Sequence, residues 1–321
     1  MYFKNNLKFS VGALLYSPAA NDKIADFIIN EKFGKMFSLA LCLEDTINDI
    51  SVDYAEKQLI KSLKSIKDAY CQKKFYIPKI FIRVRYPKQV LKIFKMLNDS
   101  ISILTGFIFP KFCINNAFEY IKAIKQINDM SSKCFFIMPI LEDSSLINLI
   151  NRRTVLYDLK KSLDSIYDYV LNIRVGGNDL CNAFGIRRNV FQTIYDIMPV
   201  SSILSDILSV FSLDYVVSGA VWEYFNEDTP FWKKGLEKEL KIDMLNGFIG
   251  KTVIHPNQIP VINNALKVSQ ADYNDAMDIL NWDSSSKLMV SKSRLGRMNE
   301  FKTHFNWANK IKILADIYGI K

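Results

Sequence analysis

The sequence predicts a (β/α)8 TIM barrel, an α/β fold, followed by a helical C-terminal appendage. Two observations carry that prediction. Short apolar runs alternate with longer amphipathic runs along most of the 321 residues. Eight such short runs begin between residues 13 and 250, a mean spacing of about 34 residues, which is the size of one strand–helix unit. Strands buried on both faces read as continuous apolar runs, as a parallel sheet covered by helices requires. An open doubly wound sheet shares this alternation, but its usual glycine-rich first turn, G-x-G-x-x-G, does not occur here.

The eight runs are Ala13–Ser17, Ser38–Glu44, Lys79–Arg85, Gly106–Lys111, Cys134–Glu142, Tyr169–Gly176, Asp214–Val221 and Gly250–His255. Helices are expected between them. From Asp53 to Tyr70, Ala55, Leu59, Leu63, Ile66 and Tyr70 recur at steps of three and four, with Lys and Gln between, the period of an amphipathic helix. Pro87 opens another run (Val90, Leu91, Phe94, Leu97), a position where proline is well placed. Residues 257–268 read as the eighth barrel helix. Residues 1–269 therefore form the barrel. Residues 270–321 form the appendage, with helices at Asp272–Asn281 and Arg297–Tyr318 joined by the polar stretch Asp283–Ser293, where Ser284–Ser286 reads as a flexible joint. Such a segment would serve as a lid or an oligomer contact.

Composition bounds the function. The apolar fraction is 49% and the charged fraction 23%, values of a globular chain with a full core. No apolar stretch approaches the roughly 20 residues of a membrane span, and Met1 to Ser10 lacks the pattern of a signal peptide. Five widely spaced cysteines with no C-x-x-C pair argue against a disulfide framework and a thiolate zinc site, and for a reducing cytosol. The net charge is +9, yet there is no cluster of five or more Lys and Arg and no nucleic-acid motif. The charge reads as a solvated basic surface, with anionic small molecules as the partners it favours.

In a barrel, catalytic groups stand at the carboxyl ends of the strands. Here those ends carry Glu44 and Asp45, Arg83 and Arg85, Lys111, Glu142 and Asp143, Asp179, and His255. One charge at a strand end needs no function, since that is where strands meet solvent. Six of eight strands ending so is harder to dismiss, because these ends converge on one axis. Glu142 and Asp179 offer only oxygen, and two carboxylates plus waters suit Mg2+. With two histidines in the chain, zinc is disfavoured. Arg83 offers a planar fork to a carboxylate or a developing enolate oxygen. Lys111 reads either as a salt-bridge partner in the barrel mouth or as a Schiff-base amine. His255 reads as a cap on the eighth strand or as a base. The four tryptophans read as packing.

The ordered segments L-E-D-T-I (43–47), I-R-V-R (82–85), G-F-I-F-P-K (106–111), I-L-E-D (140–143), G-G-N-D-L (176–180) and G-K-T-V-I-H-P-N-Q-I (250–259) resemble those of the citrate lyase beta subunit and its HpcH/HpaI aldolase relatives. More narrowly, the chain resembles the citrate-lyase-like proteins of bacterial tellurite-resistance gene clusters. The resemblance spans residues 12–268, with a weaker echo beyond. It implies a Mg2+-dependent carbon–carbon lyase, usually a homotrimer. It implies Glu142 and Asp179 as metal ligands, Arg83 on the substrate oxygens, and Glu44 and Asp45 near the metal waters. It further implies that a C-terminal acid reaches a neighbouring subunit's site. G-R-M-N-E (296–300) puts Glu300 there, where relatives have Asp. The chain departs from the family at Gly12 and Ala13 (usually Arg and Ser), Ala19 (Gly), Arg85 (Asn) and Asp143 (Thr). The missing basic residue at Gly12 weakens the case for a CoA ester, and the added Arg85 suits a more anionic substrate.

The expected function is a retro-aldol or retro-Claisen lyase acting on a small anionic oxyacid or its CoA or phosphorylated derivative. Arg83, Asp45 and Glu300 would do the chemistry, and Arg83, Arg85, Lys111, Glu44 and His255 would bind substrate. A different class stays open: a catalytically silent barrel that binds a metabolite or scaffolds other enzymes.

Overall fold

The computed structural model describes residues 2–225, 230–283, 285, 287–293 and 296–321. Its centre is a ring of eight parallel strands: β1 (Ala13–Pro18), β2 (Ser38–Cys42), β3 (Lys79–Arg83), β4 (Leu104–Phe109), β5 (Phe136–Leu141), β6 (Asn172–Val175), β7 (Val216–Ser218) and β8 (Lys251–Val253). Consecutive strands pair from β1 to β7, and β8 pairs with β1. The ring closes between β7 and β8 through a bridge of Gly219 to Lys251 and two backbone bonds, Ile249 N–H to Val217 O at 2.8 Å and Gly219 N–H to Gly250 O at 3.0 Å. Each strand falls inside or against the run expected for it.

The helices are α1 (Tyr2–Phe9), α2 (Ile24–Ile29), α3 (Val52–Gln72), α4 (Pro87–Leu97), α5 (Ile114–Asp129), α6 (Arg152–Asp164), α7 (Gly177–Ala183), α8 (Met198–Phe211), α9 (Phe231–Asn246), α10 (Gln258–Leu266), α11 (Gln270–Leu280) and α12 (Phe301–Tyr318). Helix α3 buries Ala55, Leu59, Leu63 and Ile66, the stripe its sequence spacing marks. Helix α4 begins on Pro87, whose missing N–H leaves no helical bond unmade.

Two apolar regions build the barrel, and a third, of Ala276, Ile279 and Ala308, joins α11 to α12. The larger lies between the strands and the outer helices, where Leu39, Leu41, Ile80 and Ile82 meet Leu59, Leu63 and Ile93. Each such side chain contributes about 1.5–3 kcal/mol by leaving water. The smaller fills the inside of the ring from β1 to β5 with Leu14, Ala40, Phe81, Ile108 and Met138, joined by Leu171 just before β6.

The C-terminal segment differs from expectation in one respect. Residues 297–300 are not helical: β10 (Met298–Glu300) pairs antiparallel with β9 (Val290–Lys292), and α12 starts only at Phe301. Ser284 and Ser286 of the expected joint lie outside the described residues. The far end of α12 is tied to the barrel's amino-terminal end. Val268 bridges Ile320, and the Tyr318 hydroxyl donates to Phe9 O at 2.7 Å. Helix α1, which the sequence reading did not anticipate, contributes that carbonyl.

Candidate active site

The carboxyl ends of the strands surround a cavity of about 230 Å3. It is smaller than the roughly 300–1,000 Å3 of sites for drug-sized ligands. Asp45, Arg83, Glu142 and Asp179 line it, together with Tyr16, Arg174, Gly176 and Thr252. Four of the residues singled out in the sequence are thus brought together.

One corner is a dense ion network. Arg83 Nη2 lies 2.6 Å from Glu44 Oε2, 2.8 Å from Asp45 Oδ2 and 3.5 Å from Glu142 Oε1. Lys111 Nζ lies 2.6 Å from Glu44 Oε1 and 3.0 Å from Asp45 Oδ1. Lys111 takes a left-handed backbone conformation, φ 47°, which is strained for a residue with a Cβ. That conformation accompanies a bond from its N–H to Glu142 Oε1 at 2.9 Å. Lys111 thus holds Glu142 with its backbone and the Glu44–Asp45 pair with its side chain.

These contacts set the charges. Burial lifts Glu142 to about 8, opposed by Arg83 and reinforced by the Asp179 charge. Burial also raises Glu44, against the pull of Arg83. Asp45 moves the other way: burial opposes ionisation, but bonding to Glu44 and the Arg83 and Lys111 cations outweigh it. Lys111 is held well above its ordinary value, because its bonds to Glu44 and Asp45 overcome the effect of burial. Such an ammonium is a poor Schiff-base nucleophile, which needs a depressed pKa, so the salt-bridge reading of Lys111 is the one the geometry favours.

Gly176 shapes the opposite wall. A Cβ there would fall 2.0 Å from Glu142 Oε2 and 2.3 Å from Glu142 Cβ. Only glycine lets the end of β6 pass this close to the carboxylate. Glu142 Oε1 is fixed by Lys111, and Oε2 sits over Gly176. Asp179 follows three residues later, in the first turn of α7.

The other expected residues fall elsewhere. The Arg85 guanidinium braces the loop after β2, donating to Leu43 O at 3.1 Å, Glu44 O at 3.3 Å and Ile47 O at 3.0 Å and pairing with Asp49. With its donors so engaged, Arg85 positions the Glu44–Asp45 loop and does not face the cavity. His255 accepts from Asn257 N–H through Nδ1 at 3.3 Å and stacks on Phe225, the strand-cap role. Glu300 sits on the β9–β10 hairpin opposite Val290 and is not among the described residues lining its own chain's cavity. Gly12 lies at the amino end of β1, where a Cβ would meet the Tyr318 hydroxyl at 2.8 Å. A basic residue there would be a strand's length from the mouth, so its absence says nothing about a CoA ester.

Two residues were not singled out from the sequence. Arg174, inside β6, is 1% exposed, and its Nη2 donates to Thr252 Oγ1 at 2.7 Å. Tyr16, inside β1, lies between Arg174 and Arg83, with the Arg83 Cζ 5.7 Å from its ring centroid. The available signal was an arginine within an otherwise apolar strand, N-I-R-V.

A closed eight-stranded parallel barrel with ionic groups gathered at the carboxyl ends of its strands defines a TIM-barrel enzyme. The chain belongs to the family of C–C bond lyases of the TIM-barrel fold, whose model matches residues 5–320, and is a carbon–carbon lyase. Among solved structures it is similar to a citrate lyase from Burkholderia xenovorans LB400, with a TM-score of 0.72 at 13% identity over 97% of this chain and 93% of that one. It is similar to the protein CitE from Mycobacterium tuberculosis in complex with magnesium, acetoacetate and coenzyme A, with a TM-score of 0.62 at 16% identity over 96% and 99%. A citrate lyase beta subunit from M. tuberculosis complexed with oxaloacetate and magnesium gives 0.53 at 17% identity over 81% and 98%. At such identities the likeness is one of fold. No curated protein matches the chain.

Proposed function

We propose that this protein is a Mg2+-dependent lyase that cleaves a small anionic hydroxy- or keto-acid by retro-aldol or retro-Claisen chemistry. The observation that carries the reading is the convergence of Glu142, Asp179, Asp45 and Arg83 on one small cavity. The donor set fits the metal. Glu142 and Asp179 are all-oxygen, and Gly176 leaves room for the Glu142 carboxylate on the cavity wall. Among the described residues no group of three or more His, Cys, Asp or Glu is placed to share one ion. Two carboxylates with water and substrate oxygens completing the shell is a common arrangement for Mg2+. Bound there, the ion would supply Lewis-acid polarisation of a carbonyl oxygen.

The chain's own residues supply the rest. Arg83 stays charged and lines the cavity, where its guanidinium would meet the enolate oxygen on which charge develops. Asp45, held ionised, is placed to take the hydroxyl proton directly or through water. Glu44 and Lys111 position Asp45 and Arg83. Glu300 would reprotonate the enolate carbon from a neighbouring subunit, which a homotrimer would supply. A CoA ester would place its acyl end in the cavity, with the remainder outside. The magnesium, oxaloacetate, acetoacetate and coenzyme A named with the similar structures support this substrate class. The five widely spaced cysteines, with no C-x-x-C pair, favour a cytosolic location.

Calorimetric titration of Mg2+ into the wild type, Glu142→Ala and Asp179→Ala tests the reading. Binding to the wild type and loss in both variants is expected. Unchanged binding in both ends the metal assignment.

A further inference from the structure

The interior of a TIM barrel is ordinarily packed with apolar branched side chains. Here that holds for the wall from β1 to β5 but not for the wall from β6 to β8. Asn172 and Arg174 point inward from β6, Ser218 stands opposite Arg174 on β7, and Thr252 faces them from β8. All but Thr252 are fully buried. Several of their atoms have no hydrogen-bond partner among the described residues: Asn172 Oδ1, Ser218 Oγ, and Arg174 Nε and Nη1.

Arg174 is the sharpest case. Arginine stays charged in proteins, and an unpaired buried charge is strongly unfavourable. Yet among the described residues its neighbours are a hydroxyl from Thr252, the Tyr16 phenol and the like-charged Arg83. No carboxylate pairs with it there. Arg174 lines the same cavity as Arg83, whose Nε is also unpartnered. Two buried guanidiniums thus flank one tyrosine on the wall of one small cavity, and no carboxylate among the described residues neutralises Arg174.

We infer that Arg174 is a second anion anchor on the wall of the cavity, which takes a compact anionic group at the end of the substrate remote from the bond being cleaved. This deepens the lyase reading and rests on it for the word substrate. The anchor itself requires neither the metal nor the reaction. The recognised chemistry is a compact oxyanion, and both a carboxylate and a phosphoryl group have it. Arg174 would thereby set specificity for a doubly charged acid over a singly charged one.

Malonate, acetate and inorganic phosphate are titrated calorimetrically into metal-free wild type, Arg174→Lys and Arg174→Met, with melting temperatures recorded in parallel. Malonate or phosphate should bind the wild type, the tighter of the two naming the source of the charge. Acetate should bind more weakly. Arg174→Met should weaken malonate or phosphate roughly 10- to 100-fold, the worth of a hydrogen bond to a charged group, while Arg174→Lys keeps most of the affinity. Without ligand, Arg174→Met should melt no lower than the wild type, because it removes an unpaired buried charge. A structural arginine would give the opposite shift. A wild type that binds none of the three probes, or an Arg174→Met that binds as well as the wild type, overturns the proposal. Should Arg174→Met not fold, Arg174→Gln makes the same comparison, and failure of both to fold overturns it as well. Anion binding that survives while Mg2+ binding or cleavage fails removes only the lyase reading.

Discussion

Replacing Gly176 by alanine tests how the barrel positions its buried carboxylate. The new Cβ would stand 2.0 Å from Glu142 Oε2, 2.3 Å from Glu142 Cβ and 2.8 Å from Glu142 Cδ. Ordinary contact begins near 3.4 Å, so the carboxylate must retreat by about 1.4 Å. Rotation of the side chain cannot relieve the clash with Glu142 Cβ, so β5 and β6 must separate where Gly176 N–H donates to Leu141 O at 3.2 Å. Overpacking of this kind costs about 1–3 kcal/mol, and a misplacement near 1 Å at a reacting centre costs about 100-fold in rate. The bond from Lys111 N–H to Glu142 Oε1 should break as well. In a thermal melt the variant should fall by a few degrees, at roughly 2–4 °C per kcal/mol for a chain of this order. In calorimetry its Mg2+ affinity should fall at least tenfold. A variant that melts with the wild type and binds Mg2+ equally well would refute the claim that glycine is needed for this close approach.

Metal-free protein should lose stability as pH rises from about 4.5 to about 8. Glu142 ionises near 4.5 when unfolded but only near 8 when folded, so its contribution is full below the lower value and gone above the upper one. Glu142→Gln should flatten that slope in melts across pH, and an unchanged slope would exclude Glu142 as its source. Lys251 Nζ bridges Glu239 at 2.8 Å and Asp243 at 2.7 Å, all buried outside the ring. Lys251→Met should therefore cost about 3–5 kcal/mol in urea unfolding, as breaking a buried pair does. Mg2+ affinity per folded molecule should not change; a loss of unfolding free energy below about 1 kcal/mol would show that the pair contributes little. Borohydride with pyruvate should leave no adduct on Lys111 by mass spectrometry, because the residue is held as an ammonium. A trapped adduct would restore the Schiff-base mechanism.

The ring of strands was legible because each strand is buried on both faces and so appears as an unbroken apolar run. The corner formed by Glu44, Asp45, Arg83 and Glu142 was legible because a charge ending such a run has only the barrel mouth to enter. Arg85 shows where that logic stops. It follows Arg83 by two, the period of a shared strand face, but β3 ends at Arg83. Beyond the strand the alternation no longer governs, and the side chain turns to the loop carbonyls. Arg174 was illegible for the converse reason. It lies within a strand, where the pattern expects an apolar side chain, and only the ring's closure shows that its neighbours are Ser218 and Thr252. The β9–β10 hairpin was hidden because Met298–Glu300 adjoins the amphipathic run of α12 and its pairing is not local.

The ring is unequally fastened. Between β2 and β3 five residue pairs are in register, whereas β7 and β8 have three residues each and are joined by one bridge and flanking backbone bonds. A closed sheet opens first at its clasp, since local opening follows the density of hydrogen bonds and contacts. That clasp adjoins the polar wall carrying Arg174 and lies across the ring from the corner that fixes Glu44 and Arg83. The barrel therefore has a stiff side that sets the angles of the Glu44–Arg83 corner and a compliant side that can adjust to the girth of what enters, so variation in ligand size should be absorbed on one side and leave the geometry of the other unchanged.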